Sequence, residues 1–195
     1  FFKIITLIIL ILQSSITFAA VSRVVDSFQV TQRIPTGVVF NPDGTKMFIS
    51  GMSQNRVMEF DLTTGFDVSE ATINSNECDH ADKDGNVVDL RLNSNGTKLF
   101  IVGYDNKIIL EYSLSTAYDV STCSYENTFF SGDGLNPRSM AFNTNGTKLF
   151  IYDQTGDYSV KQYSLNSAYD LTNATLVKEY TGTASKTLKE IEGFA

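Results

Sequence analysis

From residue 35 onward, short apolar runs alternate with polar turns, and the same order of blocks occurs three times. Each unit is marked by a polar turn that leads into an apolar run, at Asn41–Phe48, Asn93–Phe100 and Asn143–Phe150. These markers begin 52 and 50 residues apart. Each contains Asp-Gly or Asn-Gly, the pairs that most strongly favour a β-hairpin between two apolar runs. A self-similar unit of this length, rich in β-forming residues, predicts a β-propeller.

Every unit contains four candidate strands. The first strands are predicted at Gly37–Phe40, Val88–Leu92 and Ser139–Phe142, and the second at Lys46–Ile49, Lys98–Val102 and Lys148–Tyr152. The third are predicted at Val57–Leu62, Ile108–Leu114 and Val160–Leu165, and the fourth at Ala71–Cys78, Cys123–Phe130 and Ala174–Tyr180. The second strands are apolar at consecutive positions, which is typical of a sheet buried on both faces. A propeller blade meets that condition because its two neighbours cover it.

The predicted fold is therefore all-β, a propeller arc of three four-stranded blades with partial strands at both ends. We divide the chain into a signal peptide (1–19), the lead-in strand of a closing blade (20–34), three blades (35–80, 81–130 and 131–182) and the start of a further, truncated blade (183–195). Known propellers have about four to eight blades, so three cannot close a ring. Two interpretations remain open: a fragment of a longer protein, or a short chain that completes a ring as a homo-oligomer.

The first residues have the pattern of a secretory signal peptide. Lys3 precedes the apolar run Ile4–Leu12, and the small residues Thr17 and Ala19 precede a cleavage site. An uncleaved membrane anchor is the alternative, but the run is short for a hydrocarbon core of about 30 Å. We therefore expect a secreted, periplasmic or cell-surface protein that is not inserted in the membrane after cleavage.

The charge of the chain limits the kinds of molecule that it is expected to bind. Its net charge is −7, from 22 acidic and 15 basic residues, with no basic patch. This composition argues against a nucleic-acid partner.

The two cysteines of an exported chain could form a disulfide, but the repeat register predicts that they do not. Cys123 aligns with Ala71, at the start of a fourth strand, whereas Cys78 lies seven positions further along its own strand. Seven residues of strand span ~23 Å, and a disulfide needs Cα atoms within about 7 Å of each other.

One motif of the repeat resembles that of a known protein family. Gly37–Gly44 followed by Met47–Ile49 resembles the YVTN-type, lactonase-like β-propeller repeat, which pairs a first strand, a Pro-Asp-Gly turn and an aromatic-led second strand. The resemblance covers residues 35 to 180, although the Tyr-Val-Thr-Asn tetrad is absent and the period is longer than in that family. It implies a propeller fold. It does not imply one function, because such propellers include surface proteins, lectins, lactonases and redox enzymes.

Residues that recur in every unit are expected to be structural. Asp67, Asp119 and Asp170 occupy equivalent places, so we predict that each carboxylate accepts backbone N–H groups in the turn between strands three and four. The equivalent lysines Lys46, Lys98 and Lys148 are predicted to be solvated. Two sequons, at Asn95 and Asn145, lie within hairpin turns and are explained by turn chemistry. A third is at Asn173, and glycosylation of any of them requires secretion through an endoplasmic reticulum.

The loops that differ between units are the candidate binding surface. In an up-and-down blade, the uniform turns after strands one and three lie at one end, so the divergent loops after strands two and four share the other end, which we call the variable end. Loops on a rigid scaffold commonly carry function. The candidate ligand-binding residues on these loops are His80, Asp82, Asp84, Tyr104, Asp105, Asp133, Arg138, Asp157 and Tyr158.

The acidic loop suggests calcium only weakly, and no other cofactor is predicted. Asp82, Asp84 and Gly85 match three positions of a calcium-binding loop, but Arg91 stands where the bidentate acid belongs. His80 is the only histidine, so a histidine-rich copper or zinc site is excluded.

The function favoured by this pattern is a binding module for a protein or carbohydrate ligand at the variable end. The alternative is a lactonase-like or other hydrolytic enzyme. In that case Asp89, Arg91 and Arg138 are the charged residues near the central channel.

Overall fold

The computed structural model describes residues 27–30, 34–129, 134–156 and 158–181. These residues form three four-stranded antiparallel sheets in which consecutive strands are neighbours, so each predicted blade is present. The first blade contains β1 Pro35–Phe40, β2 Lys46–Gly51, β3 Arg56–Asp61 and β4 Thr72–Asp79. The second contains β5 Val87–Leu92, β6 Lys98–Gly103, β7 Ile108–Leu114 and β8 Cys123–Phe129, and the third β9 Pro137–Phe142, β10 Lys148–Asp153, β11 Ser159–Ser164 and β12 Thr175–Thr181.

The first turn of each blade is built from its own side chains. Asn41 Oδ1 accepts the backbone N–H of Lys46 at 2.9 Å, and Asp43 Oδ1 accepts that of Thr45 at 3.0 Å. Gly44 has a φ of 73°, a conformation that an L side chain rarely adopts. The same bonds recur in the other two blades, where asparagine replaces Asp43.

The repeated aspartates act as predicted in the turns after the third strands. Asp67 Oδ1 accepts Ser69 N at 3.0 Å, Asp119 Oδ1 accepts Ser121 N at 3.0 Å, and Asp170 Oδ1 accepts Thr172 N at 2.9 Å. These turns are also hydrogen-bonded to the hairpin turns after the first strands. In each blade, the backbone N–H of the residue before the aspartate donates to the carbonyl of the hairpin glycine at 2.8 to 3.0 Å. The turns after strands one and three therefore lie together at one end.

The core lies between blades. Phe48 and Val57 of the first blade pack with Leu90, Leu99 and Leu110 of the second, and all five are buried. An equivalent cluster joins blades two and three through residues such as Phe100, Ile109, Met140, Leu149 and Leu171. This arrangement explains why the second strands are apolar at consecutive positions.

The outer face of the first blade is covered by residues 27–30. Phe28 contacts Phe60 edge-to-face with ring centroids 5.2 Å apart. Val30 packs against the cluster of buried side chains in the first blade to which Phe60 belongs. These four residues are not in a strand. The predicted signal peptide, most of the lead-in segment and residues 183–195 lie outside the described residues. No helix within the described ranges has the length and apolar character to span a membrane.

Two of the predicted solvated lysines instead pair with buried glutamates. Lys46 bonds to Glu59 and Lys98 bonds to Glu111, and both carboxylates are buried. Each glutamate also accepts a backbone N–H from the next blade: Glu59 from Val120 at 3.1 Å and Glu111 from the equivalent turn at 3.3 Å. The lysine balances a charge that would be costly to bury alone. The sequence did not predict these ion pairs and inter-blade hydrogen bonds, because a glutamate in a strand is usually a solvent-exposed residue.

The prediction about the cysteines is wrong. Cys78 and Cys123 form a disulfide with Cα atoms 5.9 Å apart. Adjacent strands in a sheet are rotated by roughly 20–25°, so the fourth strand of a blade is strongly tilted relative to the first. The end of β4 thereby contacts the 3₁₀ turn Val120–Thr122 that leads into β8 of the next blade. The prediction assumed that the fourth strands of neighbouring blades run parallel and in register. Because the sheets are twisted, the end of β4 instead comes close to the start of β8.

Candidate functional site

The loops after the second strands lie at the end opposite the uniform turns. The loop after each second strand bonds to the segment before a first strand: Met52 N to Ile34 O at 3.0 Å, Tyr104 N to Asn86 O at 2.7 Å, and Gln154 N to Asn136 O at 2.9 Å. The three bonds are equivalent in the three blades. They give the variable end a common framework on which the loop side chains differ.

A cleft of about 510 Å³ opens at the variable end, between the first strands of all three blades. Its walls come from the starts of the first strands, the end of β10 and the loops after the second strands. The lining residues are Pro35, Thr36, Met52, Val88, Asp89, Tyr104, Arg138, Ser139, Tyr152 and Gln154. Polar and apolar groups contribute about equally to the wall. A concave site in which a few polar groups converge is the usual form of a small-ligand site.

Arg138 is the cationic group of this cleft. Its Nε donates to Gln154 Oε1 at 2.6 Å, and its guanidinium carbon lies 4.2 Å from the centroid of the Tyr104 ring. Such stacking fixes the plane of the guanidinium and stabilises its charge. Among the described residues no carboxylate forms an ion pair with Arg138.

Asp89 is the anionic group of the cleft, and both of its oxygens are occupied. Oδ1 bonds to Arg91 Nη1 at 2.6 Å and accepts the backbone N–H of Leu90 at 2.9 Å. Oδ2 accepts Ser139 Oγ at 2.9 Å and Met140 N at 3.0 Å, which links blade two to blade three. Burial raises the pKa of Asp89, although the charge of Arg91 opposes that shift. With four donors on two oxygens, this carboxylate is a structural link rather than a base open to substrate.

His80 and Asp84 lie in the loop after β4 and are buried away from the cleft lining. The Nδ1 of His80 is 2.7 Å from the carbonyl oxygen of Asp84, so Nδ1 is the protonated nitrogen. Burial lowers the pKa of His80. The carboxylate of Asp84 accepts the backbone N–H groups of Asn86 and Asn106, each at 2.9 Å. Asp84 thus holds two loops of the variable end together.

In blade three, a carboxylate at the end of β10 holds the loops of the variable end together. Asp153 is buried, bonds to Lys161 Nζ at 2.8 Å, and accepts backbone N–H groups from Asn136 at 2.8 Å and Thr155 at 3.0 Å. Burial alone would raise the pKa of Asp153, but these hydrogen bonds outweigh it and the pKa lies below its usual value. Sequence reasoning missed this residue, although one signal was present: the equivalent position is glycine in the other two blades.

The predicted site residues divide into three groups. Tyr104 and Arg138 line the cleft. His80, Asp82, Asp84 and Asp105 belong to the adjoining loops, where Asp82 bonds to Lys83 at 2.7 Å and Asp105 accepts Asn86 Nδ2 at 2.8 Å. Tyr158 is half-buried in the loop before β11, and Asp133 and Asp157 lie outside the described residues.

Metal-binding residues do not converge here. Within the described part of the chain, no three or more His, Cys, Asp or Glu residues form a group that could hold a metal ion. The two oxygens of Asp84 accept backbone N–H groups of Asn86 and Asn106.

Comparison with solved structures places the fold among β-propellers. No family model matches the chain, and no curated protein matches it. A putative 6-phosphogluconolactonase from Bacteroides uniformis superposes with a TM-score of 0.55 at 15% identity, covering 76% of this chain and 41% of that one. The periplasmic gluconolactonase of Pseudomonas aeruginosa gives 0.55 at 18% identity, covering 75% and 39%.

The neighbours are not all enzymes of one kind. The β-propeller domain of Cps50 (Swd1) from Myceliophteria thermophila superposes with a TM-score of 0.50 at 16% identity, covering 76% of this chain and 43% of that one. At these identities the likeness shows the fold alone. The chain spans about two fifths of the length of the solved propellers that it matches.

Proposed function

We propose that this chain is an exported binding module whose carbohydrate or protein ligand meets the variable end. The observation that supports this most directly is the cleft of about 510 Å³, whose walls come from all three blades and from the divergent loops. Uniform turns at one end and divergent loops at the other are the arrangement expected when a constant scaffold presents a changing surface.

Export is supported by the Cys78–Cys123 disulfide, because disulfides persist mainly in oxidising compartments. The signal-peptide pattern of residues 1–19 points the same way.

Binding is favoured over hydrolysis by the state of the titratable groups. The carboxylate of Asp89 is saturated by donors. The single histidine of the sequence, His80, is buried outside the cleft lining. A His-dependent hydrolytic site needs a base within hydrogen-bond reach of the reacting atom, and His80 does not have that position.

The proposal is tested by screening the purified chain on an array of neutral and acidic oligosaccharides and then mapping the contact with two tyrosine variants. Tyr104→Ala removes an aromatic ring of the cleft, whereas Tyr125→Ala removes a ring on the outer strand β8. Both tyrosines are 40% exposed, so the variants are matched. We expect Tyr104→Ala to weaken binding by about 1–3 kcal/mol, the loss typical of a stacking ring, and Tyr125→Ala to leave it unchanged.

Two results would contradict this function. One is a ligand whose binding depends on the uniform turns rather than on Tyr104. The other is turnover of δ-gluconolactone that disappears in Asp89→Asn, which would favour the hydrolytic alternative.

A further inference from the structure

The cleft holds a charge that no carboxylate of the described residues balances. Among its lining residues only Asp89 and Arg138 are charged. The charge of Asp89 is already offset by Arg91, whose Nη1 lies 2.6 Å away. Arg138 has no carboxylate partner among the described residues, so the cleft is locally cationic in a chain with a net charge of −7.

The guanidinium is also held in place before any ligand arrives. Gln154 accepts from Nε, and the Tyr104 ring lies 4.2 Å from the guanidinium carbon. Both contacts use the Nε edge or a face of the group, and no described residue bonds to its two terminal nitrogens. A guanidinium fixed in this way can bind a planar carboxylate through two parallel hydrogen bonds. Preorganisation reduces the entropy lost when a ligand binds.

We propose that the cleft binds an organic carboxylate of about sugar size, with Arg138 as its anchor. A guanidinium pairs with a carboxylate or a phosphate through two parallel hydrogen bonds. Its single positive charge balances a carboxylate monoanion but only half the charge of a phosphate dianion. The remaining walls include Met52, Val88 and Tyr104, which offer apolar surface to the body of such a molecule. A volume of about 510 Å³ accommodates one or two hexose-sized units. The inference rests on the proposed function, because it names the ligand class of the same end of the molecule.

The probes are D-galacturonate and D-galactose, which differ only in carrying a carboxylate or a hydroxymethyl group at C6. Calorimetric titration of the purified chain should show that galacturonate binds at least about tenfold more tightly than galactose, since a hydrogen-bonded charge contributes about 1.5–3 kcal/mol. A third probe, trigalacturonate, distinguishes the source of the carboxylate. It binds more tightly than the monomer if the site takes units of a polymer, and no more tightly if it takes a free sugar acid.

Three arginine variants locate the effect. Arg138→Gln removes the charge and should lower the affinity for galacturonate at least about tenfold. Arg138→Lys keeps the positive charge but lacks the planar guanidinium. Its affinity for galacturonate should fall between that of the unaltered chain and that of Arg138→Gln. The control is Arg56→Gln, because Arg56 begins β3 at the same end but is paired with Glu77 at 2.5 Å. It should bind galacturonate as the unaltered chain does. Circular dichroism of each variant shows whether the fold is retained.

The outcomes separate this inference from the function on which it rests. Equal affinity for galacturonate and galactose, unchanged in Arg138→Gln, would overturn the carboxylate assignment and leave a sugar-binding cleft. An equal loss in Arg56→Gln would show general surface attraction, which also overturns it. If none of the three probes binds at millimolar concentration, the carboxylate assignment is wrong, while the oligosaccharide array still decides whether the variable end binds another ligand.

Discussion

At the scale of single residues, the buried polar groups of this protein have fixed local partners. Asp84 and Asp153 hold loops, Glu59 joins two blades, and Asp89 joins the next two. Each carboxylate accepts backbone N–H groups, and those bonded to Glu59 and Asp89 are buried. A buried N–H group without a partner costs about 1–3 kcal/mol. These residues therefore shape the site without needing to touch a ligand.

His80 makes the stability of the fold depend on pH. Burial lowers its pKa below the usual 6.5, so the folded chain favours the neutral ring. The unfolded chain takes up a proton near pH 6.5. It then binds more protons than the folded chain, and stability falls as the pH drops below about 6.5. Above that value the contribution of His80 is constant.

The variant His80→Asn tests this dependence. Its side-chain N–H can replace the Nδ1 donor to the carbonyl of Asp84, but it cannot be protonated. Urea unfolding at pH 7.5 and pH 5.0 should show a smaller loss of unfolding free energy in His80→Asn than in the unaltered chain. An equal loss in both proteins would mean that carboxylates cause the pH dependence.

At the scale of strands and turns, the rim of the first two blades is fixed covalently. The disulfide joins the end of β4 to the start of β8 across 45 residues of chain. Closing a loop of that length in the unfolded state corresponds to about 4 kcal/mol in the chain-entropy model, and measured values are commonly 2–4 kcal/mol.

We therefore expect Cys78→Ala/Cys123→Ala to unfold with a free energy about 2–4 kcal/mol lower than that of the oxidised chain. Chemical denaturation with and without a reducing agent measures this. The double variant is its own control, because reduction should not change its midpoint. An unchanged midpoint on reduction of the unaltered chain would show that the bond does not contribute to stability.

Sequence reasoning located the strands well because their signals are local. Turns such as Asn93–Lys98 recur with the same side-chain bonds, and the apolar runs follow directly. It failed for Cys78 and for Glu59 because their partners lie 45 and 61 residues away. Those distances depend on the twist of each sheet and on the stacking of blades, which no short pattern specifies.

The candidate site was predicted only in part for the same reason. The loop pattern identified Tyr104 and Arg138, which line the cleft. It also included Asp84, which lies in an adjoining loop and accepts backbone N–H groups there. Gln154, which orients Arg138, was not among the predicted residues. A glutamine becomes recognisable as part of a site only when its partner is known.

At the scale of the whole molecule, protection from solvent is unequal. β7, in the middle blade, is buried at six of its seven positions, whereas all seven residues of β12 are exposed. The middle blade is covered on both faces by its neighbours. Stability in repeat proteins depends on such contacts between adjacent units.

Hydrogen exchange followed by mass spectrometry should reflect this order. Amides of β6 and β7 should exchange most slowly, and those of β12 fastest among the strands, because local opening is easiest where few apolar contacts are lost. The outer strand β4 is an internal comparison, since it is also an edge strand but carries the disulfide. Equal protection of β12 and β7 would contradict this account.

The bond between Cys78 and Cys123 also affects what happens to the chain when a protease cuts it. Two loops of the variable end, residues 80–86 and 104–107, lie in the sequence between the two cysteines. A single cut in either loop leaves two pieces that remain attached to each other through sulfur. The nicked molecule would separate into two bands on a gel only after reduction, and its first two blades would stay side by side until then.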